Sequence, residues 1–379
     1  MSPDSGRRRR LDSLVTAAYL GVALERSKRK LERSNKTPAA IGHPEDQRMR
    51  VGVVGVGRIG SFHAGVLAGH PEVTQVLVTD PDLARAEVVA REIGGRTVPT
   101  VDALLAAADA VVITAPTITH ADLIRQAVDA RRTTFCEKPI TIDLASTEEV
   151  IRHVQRRGAT VQMGFQRRFD AGYRRARELV VCGTLGRLYV VRMAGHDPHP
   201  PHDDYIPGSG GIFRDLHIHD FDIARYVTGQ EVVEVYADGA DAGFEAFARH
   251  GDVAAAVATL RFDGGTLGIL SGTRHDPLGY DVRLEVFGAG DSVAVGWDER
   301  MPLRSVEPGA PAAPKNPYSF FLDRFAPAYR AELYTFVEVA AGRMANPCPP
   351  EDAREAIRIA MACDLSRELH RPVKVDEVA

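Results

Sequence analysis

One glycine pattern at a strand–helix junction constrains this chain more than any other feature. "RVGVVGVGRIG" is a Val-rich run that carries Gly55, Gly57 and Gly60 and leads into helical spacing through "SFHAGVLAGH". Such a run, lacking polar alternation, suits a parallel strand covered on both faces. The G-x-G-x-x-G turn then has a mechanical meaning. Gly55 permits the tight turn, Gly57 lets backbone approach a pyrophosphate, and Gly60 lets the helix pack against the strand. Free N–H groups of the helix start, at Arg58 and Ile59, form an anion seat with the positive dipole end. A second strand, "VTQVLVTD", ends at Asp80. A carboxylate there accepts hydrogen bonds from both adenosine ribose hydroxyls and repels a 2′-phosphate. NAD is therefore the expected cofactor. Pro81 stands where a phosphate-binding Arg would otherwise sit, although Arg85 one helical turn away keeps NADP open.

The β–α alternation continues. "ARAEVVAREIG", "ADAVVITAP", "THADLIRQAVDAR", "TTFCEKP", "STEEVIRHVQRRG" and "ATVQMGF" read in turn as helix, strand, helix, strand, helix and strand. Ser146 or Thr147 is expected to cap the last of these helices. Residues 49–168 thus predict a doubly wound parallel sheet, a Rossmann domain. Ligands in such sheets lie beyond the carboxyl ends of the strands. That places Thr114 and Pro116 of "TAP", and Glu137 and Lys138 of "CEKP", at the cofactor, with Lys138 towards its nicotinamide half. Pro139 is a candidate cis-proline that would fix the turn.

After Arg168 the texture changes. A helix near 171–181 is followed by "LGRLYVVRMAG", "VVEVYADG", "VAAAVATLRF", "GTLGILSGT" and "YDVRLEVFGAG", strands separated by tight Gly turns. In "DVRLEVFG", Val282, Leu284 and Val286 share one face, and Asp281, Arg283 and Glu285 the other. Residues 169–379 therefore predict an α+β domain with an open, mostly antiparallel sheet for substrate binding and oligomerisation. Its second face is either solvated or paired with another subunit.

A chain of 379 residues exceeds one ordinary core, in keeping with two domains. The net charge of −4 gives no reason to expect nucleic acid or an anionic membrane as partner. Residues 1–48 carry 11 Lys/Arg against 6 acids, so +5, which leaves −9 for the rest. "RRRRLDSLVTAAYLGVALERSKRK" faintly suggests an export signal, but Asp12 interrupts it and basic residues follow where a cleavage site should be. A basic, disordered extension is expected instead. Four scattered cysteines without a C-x-x-C pair suit a reduced, cytoplasmic protein, and no apolar run is long enough for a membrane span.

"GGIFRDLHIHDFDIARYVTG" packs two imidazoles and three carboxylates into the residues from Asp215 to Asp222. Read as one helix over 213–227, each residue advances roughly 100°, so Asp215, His219, Asp222 and Tyr226 fall in a stripe of roughly 60°. His217 lies roughly 160° from His219, so the pair cannot chelate one ion on a helix. No metal is expected, and His217 reads as a structural or surface residue. His219, with Asp215 one turn earlier, reads as a general base oriented by a carboxylate.

"GVGRIG", "CEKP" and "GGIFRDLHIHDFD" in this order resemble the Gfo/Idh/MocA oxidoreductase family over residues 49–379. "GFQRRFD", "YDVRLEVFG" and "FFLDRFAPAYRAEL" look closest to its inositol 2-dehydrogenase branch. The resemblance implies a catalytic set of Lys138, Asp215 and His219, and substrate contacts at Arg167 and Tyr280. It also implies a homodimer or homotetramer. The expected activity is NAD-dependent oxidation of a secondary alcohol of a cyclic polyol such as myo-inositol. A related sugar or aminocyclitol-precursor reductase is the alternative, because the His/Pro-rich loop "GHDPHPPHDDYIPGSGG" is longer than that branch leads one to expect. His196 and Asp197 of this loop join the polyol-binding candidates; His199 and His202 read as plain loop residues.

Overall fold

The computed structural model describes residues 48–378. The basic extension, apart from Arg48, lies outside the described residues. The first sheet is parallel and six-stranded, in the order β3-β2-β1-β4-β5-β6. Its strands are β1 (Met49–Val54), β2 (Val73–Thr79), β3 (Arg96–Thr97), β4 (Ala110–Ile113), β5 (Thr133–Glu137) and β6 (Val161–Gly164). The Val-rich β1 lies at its centre, with Val51 and Val53 fully buried and Val53 in register with Val78 on one side and Val112 on the other. This is why the run shows no polar alternation. The connecting helices α1 (Arg58–Ala68), α2 (Leu83–Ile93), α3 (Val101–Ala107), α4 (His120–Asp129) and α5 (Leu144–Arg157) lie between the strands in sequence. Helix α5 begins earlier than Ser146 or Thr147: the Asp143 carboxylate accepts the Ser146 N–H at 2.8 Å and makes the cap. Gly158 closes the helix with a left-handed φ of 58°, as a C-terminal glycine should.

Helix α6 (Ala171–Val181) leads into a seven-stranded sheet, ordered β12-β11-β7-β10-β9-β8-β13. Its long strands are β7 (Leu188–His196), β8 (Val232–Ala240), β9 (Ala255–Phe262), β10 (Leu267–Thr273) and β11 (Asp281–Gly288), with short β12 (Ser292–Val295) and β13 (Val373–Lys374) at its edges. All pairs are antiparallel except β7 with β10. The short edge strands escaped sequence reading because two to four residues carry no period. Alternation is strict in β9, where Ala256, Ala258, Leu260 and Phe262 are buried and Val257, Thr259 and Arg261 exposed. Tyr189, Tyr236, Val257 and Ile269 leave the opposite face apolar and exposed.

Between β7 and β8 lie three short helices, α7 (Ile206–Ser209), α8 (Ile212–Asp215) and α9 (Ile218–Thr228). The single helix expected over 213–227 is therefore interrupted at Leu216–His217. After β8 come α10 (Glu245–Arg249) and, near the end of the chain, α11 (Phe321–Ala340) and α12 (Pro350–Leu369). Although α11 falls beyond residue 168, its Leu333, Phe336 and Val337 pack with Val51, Val53 and Phe135 of the first sheet. The Met163 N–H donates to the Cys348 carbonyl at 2.8 Å, tying β6 to the segment before α12. The cleft between the sheets is thus braced from behind.

Candidate active site

The glycine turn connects β1 to α1. Gly55 has φ of +86°, and a Cβ on Gly60 would lie 2.0 Å from the Gly55 carbonyl oxygen. Both positions therefore demand glycine. A Cβ on Gly57, by contrast, would meet nothing within 4 Å. No side chain caps α1, which carries no acid in its first turn. The N–H groups of Arg58, Ile59 and Gly60 thus stand at an open helix start, and this fits a diphosphate. Arg58 is exposed, its guanidinium 5.1 Å from the Phe321 ring centroid. Thr114, at the end of β4, turns its hydroxyl inward, donating to the Gly55 carbonyl at 2.5 Å.

Asp80 directly follows β2 and is nearly buried, at 7% exposure. Its Oδ2 accepts the Val56 N–H at 2.9 Å, and its Oδ1 accepts the Asp82 N–H at 2.9 Å and Arg85 Nη2 at 3.0 Å. The carboxylate thus braces the glycine turn as well as standing where a ribose would lie. His120 was missed by the sequence reading. It sits between the two strand-end turns, one ring nitrogen 2.8 Å from the Pro139 carbonyl and the other 2.8 Å from that of Ala115. Burial pushes its pKa down. Pro116 begins the turn that leads to it, and no local motif marks such a brace.

Lys138 follows β5, and its peptide to Pro139 is cis. Beside it the buried Glu137 holds His63 of α1, Oε1 to Nε2 2.7 Å. Lys138 Nζ donates to the Asp215 carbonyl at 3.0 Å and lies 3.4 Å from Asp215 Oδ1. Asp215 is the last residue of α8, where carbonyls lack intrahelical partners. The helix interruption is what leaves this oxygen to Lys138. Two further donors hold the carboxylate: Tyr205 OH to Oδ1 at 2.9 Å, and Arg274 Nη1 to Oδ2 at 3.0 Å. Arg274 is almost fully buried and also reaches Asp197 Oδ2 at 3.4 Å. Burial pushes the Asp215 pKa up, but Lys138 and Arg274 outweigh it and hold the carboxyl below its ordinary range.

His219 lies one turn beyond, in the first turn of α9. Its Nδ1 is buried without a partner among the described residues, and the Phe165 ring stands edge-on at 6.0 Å. Burial, then the charges of Lys138 and Arg167, drive its pKa well below 6.5. This direction favours the neutral imidazole.

The other residues of the expected stripe lie elsewhere. Asp222 is fully buried and pairs with Arg168, which reaches its Oδ2 from Nε at 2.8 Å and Asp352 from Nη1 at 2.8 Å. Tyr226 stacks under the guanidinium groups of Arg168 and Arg177. The break at His217 rotates α9 away from the phase of α8, so the calculated stripe does not exist. His217 is fully buried, its Nδ1 2.9 Å from Asp220 Oδ2. Arg167 is 1% exposed and ion-paired with Asp220; its Nε and Nη2 have no partner among the described residues. Tyr280 is nearly buried beside it, and burial raises its phenol pKa. His196 bonds Thr273 Oγ1 through Nδ1 at 2.9 Å, while His199 and His202 are exposed. Arg274 and Tyr205, like His120, are site residues the sequence did not announce. Among the described residues no group of three or more His, Cys, Asp or Glu is arranged to hold a metal ion.

A parallel doubly wound sheet with an open glycine turn, joined to a cleft of Lys, Asp and His, defines a nicotinamide-dependent oxidoreductase. Residues 49–165 match the oxidoreductase family with the NAD-binding Rossmann fold, and residues 173–294 match the GFO/IDH/MocA C-terminal domain. This chain belongs to the Gfo/Idh/MocA family. It is 40% identical over 326 residues to the myo-inositol dehydrogenase Hyg17 of Streptomyces leeuwenhoekii, covering 84% of this chain and 97% of that protein. Its fold is similar to the crystal structure of a myo-inositol dehydrogenase from Corynebacterium glutamicum, with TM-score 0.79, 34% identity and coverage of 86% and 98%. It is also similar to the scyllo-inositol dehydrogenase of Lactobacillus casei crystallised with NAD(H) and scyllo-inositol, with TM-score 0.78, 27% identity and coverage of 86% and 99%.

Proposed function

We propose that this protein oxidises a secondary alcohol of an inositol to the ketone, with NAD as hydride acceptor. The observation that carries this reading is the contact of Lys138 with Asp215, which joins the nucleotide-binding half to the D-x-x-x-H segment in one cleft. The relatives named for inositol oxidation support the substrate class. Backbone N–H groups of Gly57 to Gly60 would hold the diphosphate, Asp80 the ribose, and Thr114, Pro116, Glu137 and Lys138 the nicotinamide end. Bound there, NAD supplies the ring carbon that takes the hydride.

The chain's own groups handle the proton. Neutral His219 accepts the hydroxyl proton at Nε2, because Nδ1 is sealed. The Lys138 ammonium donates to the developing alkoxide, stabilising charge where it appears. Asp215, ionised and held by three side chains, keeps the ammonium in place and accepts from a neighbouring hydroxyl. Arg167, His196, Asp197 and Tyr280 complete the polar lining by contact or by orienting those that touch. The exposed apolar face of the second sheet, with Tyr189, Tyr236, Val257 and Ile269, supports a homodimer or homotetramer closed through that face. The scattered free cysteines support a cytoplasmic protein.

The decisive experiment is a substrate panel: purified protein with NAD or NADP, and myo-inositol, scyllo-inositol and D-glucose, followed by NADH absorbance. Turnover of an inositol with NAD is expected. Turnover of glucose alone would shift the reading to a sugar dehydrogenase, and turnover of nothing in the panel would end it.

A further inference from the structure

We propose that Tyr205 is a positioning residue for this reaction, carried by a strap, residues 197–211, that docks its phenol on Asp215. The inference rests on the functional reading above and concerns a residue outside the K, D and H set. Asp215 is held from separate parts of the chain. Lys138 comes from the end of β5, Arg274 follows β10, and Tyr205 comes from the segment between β7 and α8. Lys138 and Arg274 are anchored in the two sheets. Tyr205 alone comes from neither sheet: it ends a 3-10 turn, Asp203–Tyr205, just before α7, with half of its surface exposed while its hydroxyl bonds Asp215.

The strap has its own small footing. Ile206 is buried with Phe247 and Ala254 in a cluster separate from the main core, and Asp203 pairs with Arg249 of α10 at 3.0 Å. Its far end is the pair Gly210 and Gly211, with φ of +83° and +88°. The first residue of α8 is pinned independently, by the Ile212 N–H donating to Asp252 Oδ1 at 3.0 Å. The turn that carries Asp215 is thus held at both ends, by Asp252 and by the strap's own Gly211 carbonyl, which accepts the Asp215 N–H at 2.9 Å.

The contact matters because two donors compete for one oxygen. Asp215 Oδ1 accepts Tyr205 at 2.9 Å and leaves Lys138 at 3.4 Å, the long end of the hydrogen-bond range. The phenol is always a donor here, since burial and the adjacent carboxylate raise its pKa. With Oδ1 engaged, the ammonium keeps a donor free for the substrate oxygen. Without the phenol, Oδ1 draws Lys138 towards itself and away from the carbinol.

Tyr205→Phe removes only the hydroxyl and keeps the ring. The expected result is a fall in kcat of roughly 10–100-fold, the range for one hydrogen bond to a charged group, with the NAD dissociation constant unchanged. Inositol deuterated at the reacting carbon should show a larger primary isotope effect in the variant, because hydride transfer becomes more rate-limiting. A merely structural role would lower the active fraction and leave that isotope effect where it was. An active wild type with an unchanged kcat or isotope effect in Tyr205→Phe overturns this proposal alone. A wild type that oxidises no inositol overturns the functional reading and this proposal with it.

Discussion

Lys138 Nζ lies 3.0 Å from the carbonyl oxygen of Asp215, a residue 77 positions further along the chain and attached to the other sheet. Substitution of Lys138 tests this junction directly. Lys138→Ala should lower kcat by about 10²–10³, the usual cost of losing one donor to a developing oxyanion. NAD binding, followed by fluorescence titration, should survive, because the glycine turn is a separate element. A variant with near wild-type kcat would remove Lys138 from the mechanism.

His219 makes a prediction about acid. Its pKa is driven well below 6.5 by burial and by the positive charges of Lys138 and Arg167. The acid limb of kcat/KM for polyol oxidation should therefore fall below the ordinary histidine value. The same shift affects stability. As pH drops through 6.5 the unfolded chain gains a proton that the native site refuses, so stability declines towards acid. His219→Gln should be inactive and should lose less stability than wild type between neutral pH and the depressed native pKa. A pH–rate limb at or above 6.5 would contradict the burial argument.

Asp80 braces the glycine turn and is the ribose acceptor in the proposed function. Asp80→Ser should weaken NAD about tenfold or more and raise the NADP-to-NAD ratio, since the repelling carboxylate is gone and Arg85 keeps only its looser contact with Asp82 at 3.7 Å, leaving it able to turn to a 2′-phosphate. Adding Arg85→Ala should cancel the gain in NADP use. Steady-state kinetics with both cofactors checks the ratio, and an unmoved ratio in Asp80→Ser counts against the assignment.

Glu332 on α11 is fully buried, and neither carboxyl oxygen has a partner among the described residues. Burial, with Glu137 and Asp222 nearby, raises its pKa well above 4.5. Above pH 4.5 the unfolded chain releases a proton that the native protein retains, so this group costs stability as pH rises. Glu332→Gln should raise Tm by a few degrees at neutral pH and by less near pH 4.5. Equal shifts across that window, read by calorimetry, would refute the linkage.

Asp222, close to the site in sequence, should act on stability alone. It neutralises the buried Arg168 guanidinium, and breaking one side of such a pair costs about 3–5 kcal/mol. Asp222→Asn should lower the urea midpoint while leaving the KM for polyol nearly unchanged in the folded fraction.

The amino-acid sequence by itself determined most of the longer elements and the nucleotide seat. A two-sided Val run, a glycine turn and an acid at the next strand end are local patterns, and local sterics read them without help from distant residues. The sequence also picked out Lys138, Asp215 and His219 for attention, the last two through their spacing. The helical phase of Asp222 and Tyr226 was lost because a two-residue interruption at Leu216–His217 leaves no trace in hydrophobic period. Arg274 and Tyr205 were invisible for a deeper reason. Neither has a motif, and each acquires its role only where β10 and the strap converge on Asp215. Tertiary structure alone decided which donors share that carboxylate, because residues far apart in sequence interact only after the two sheets have closed on a common cleft.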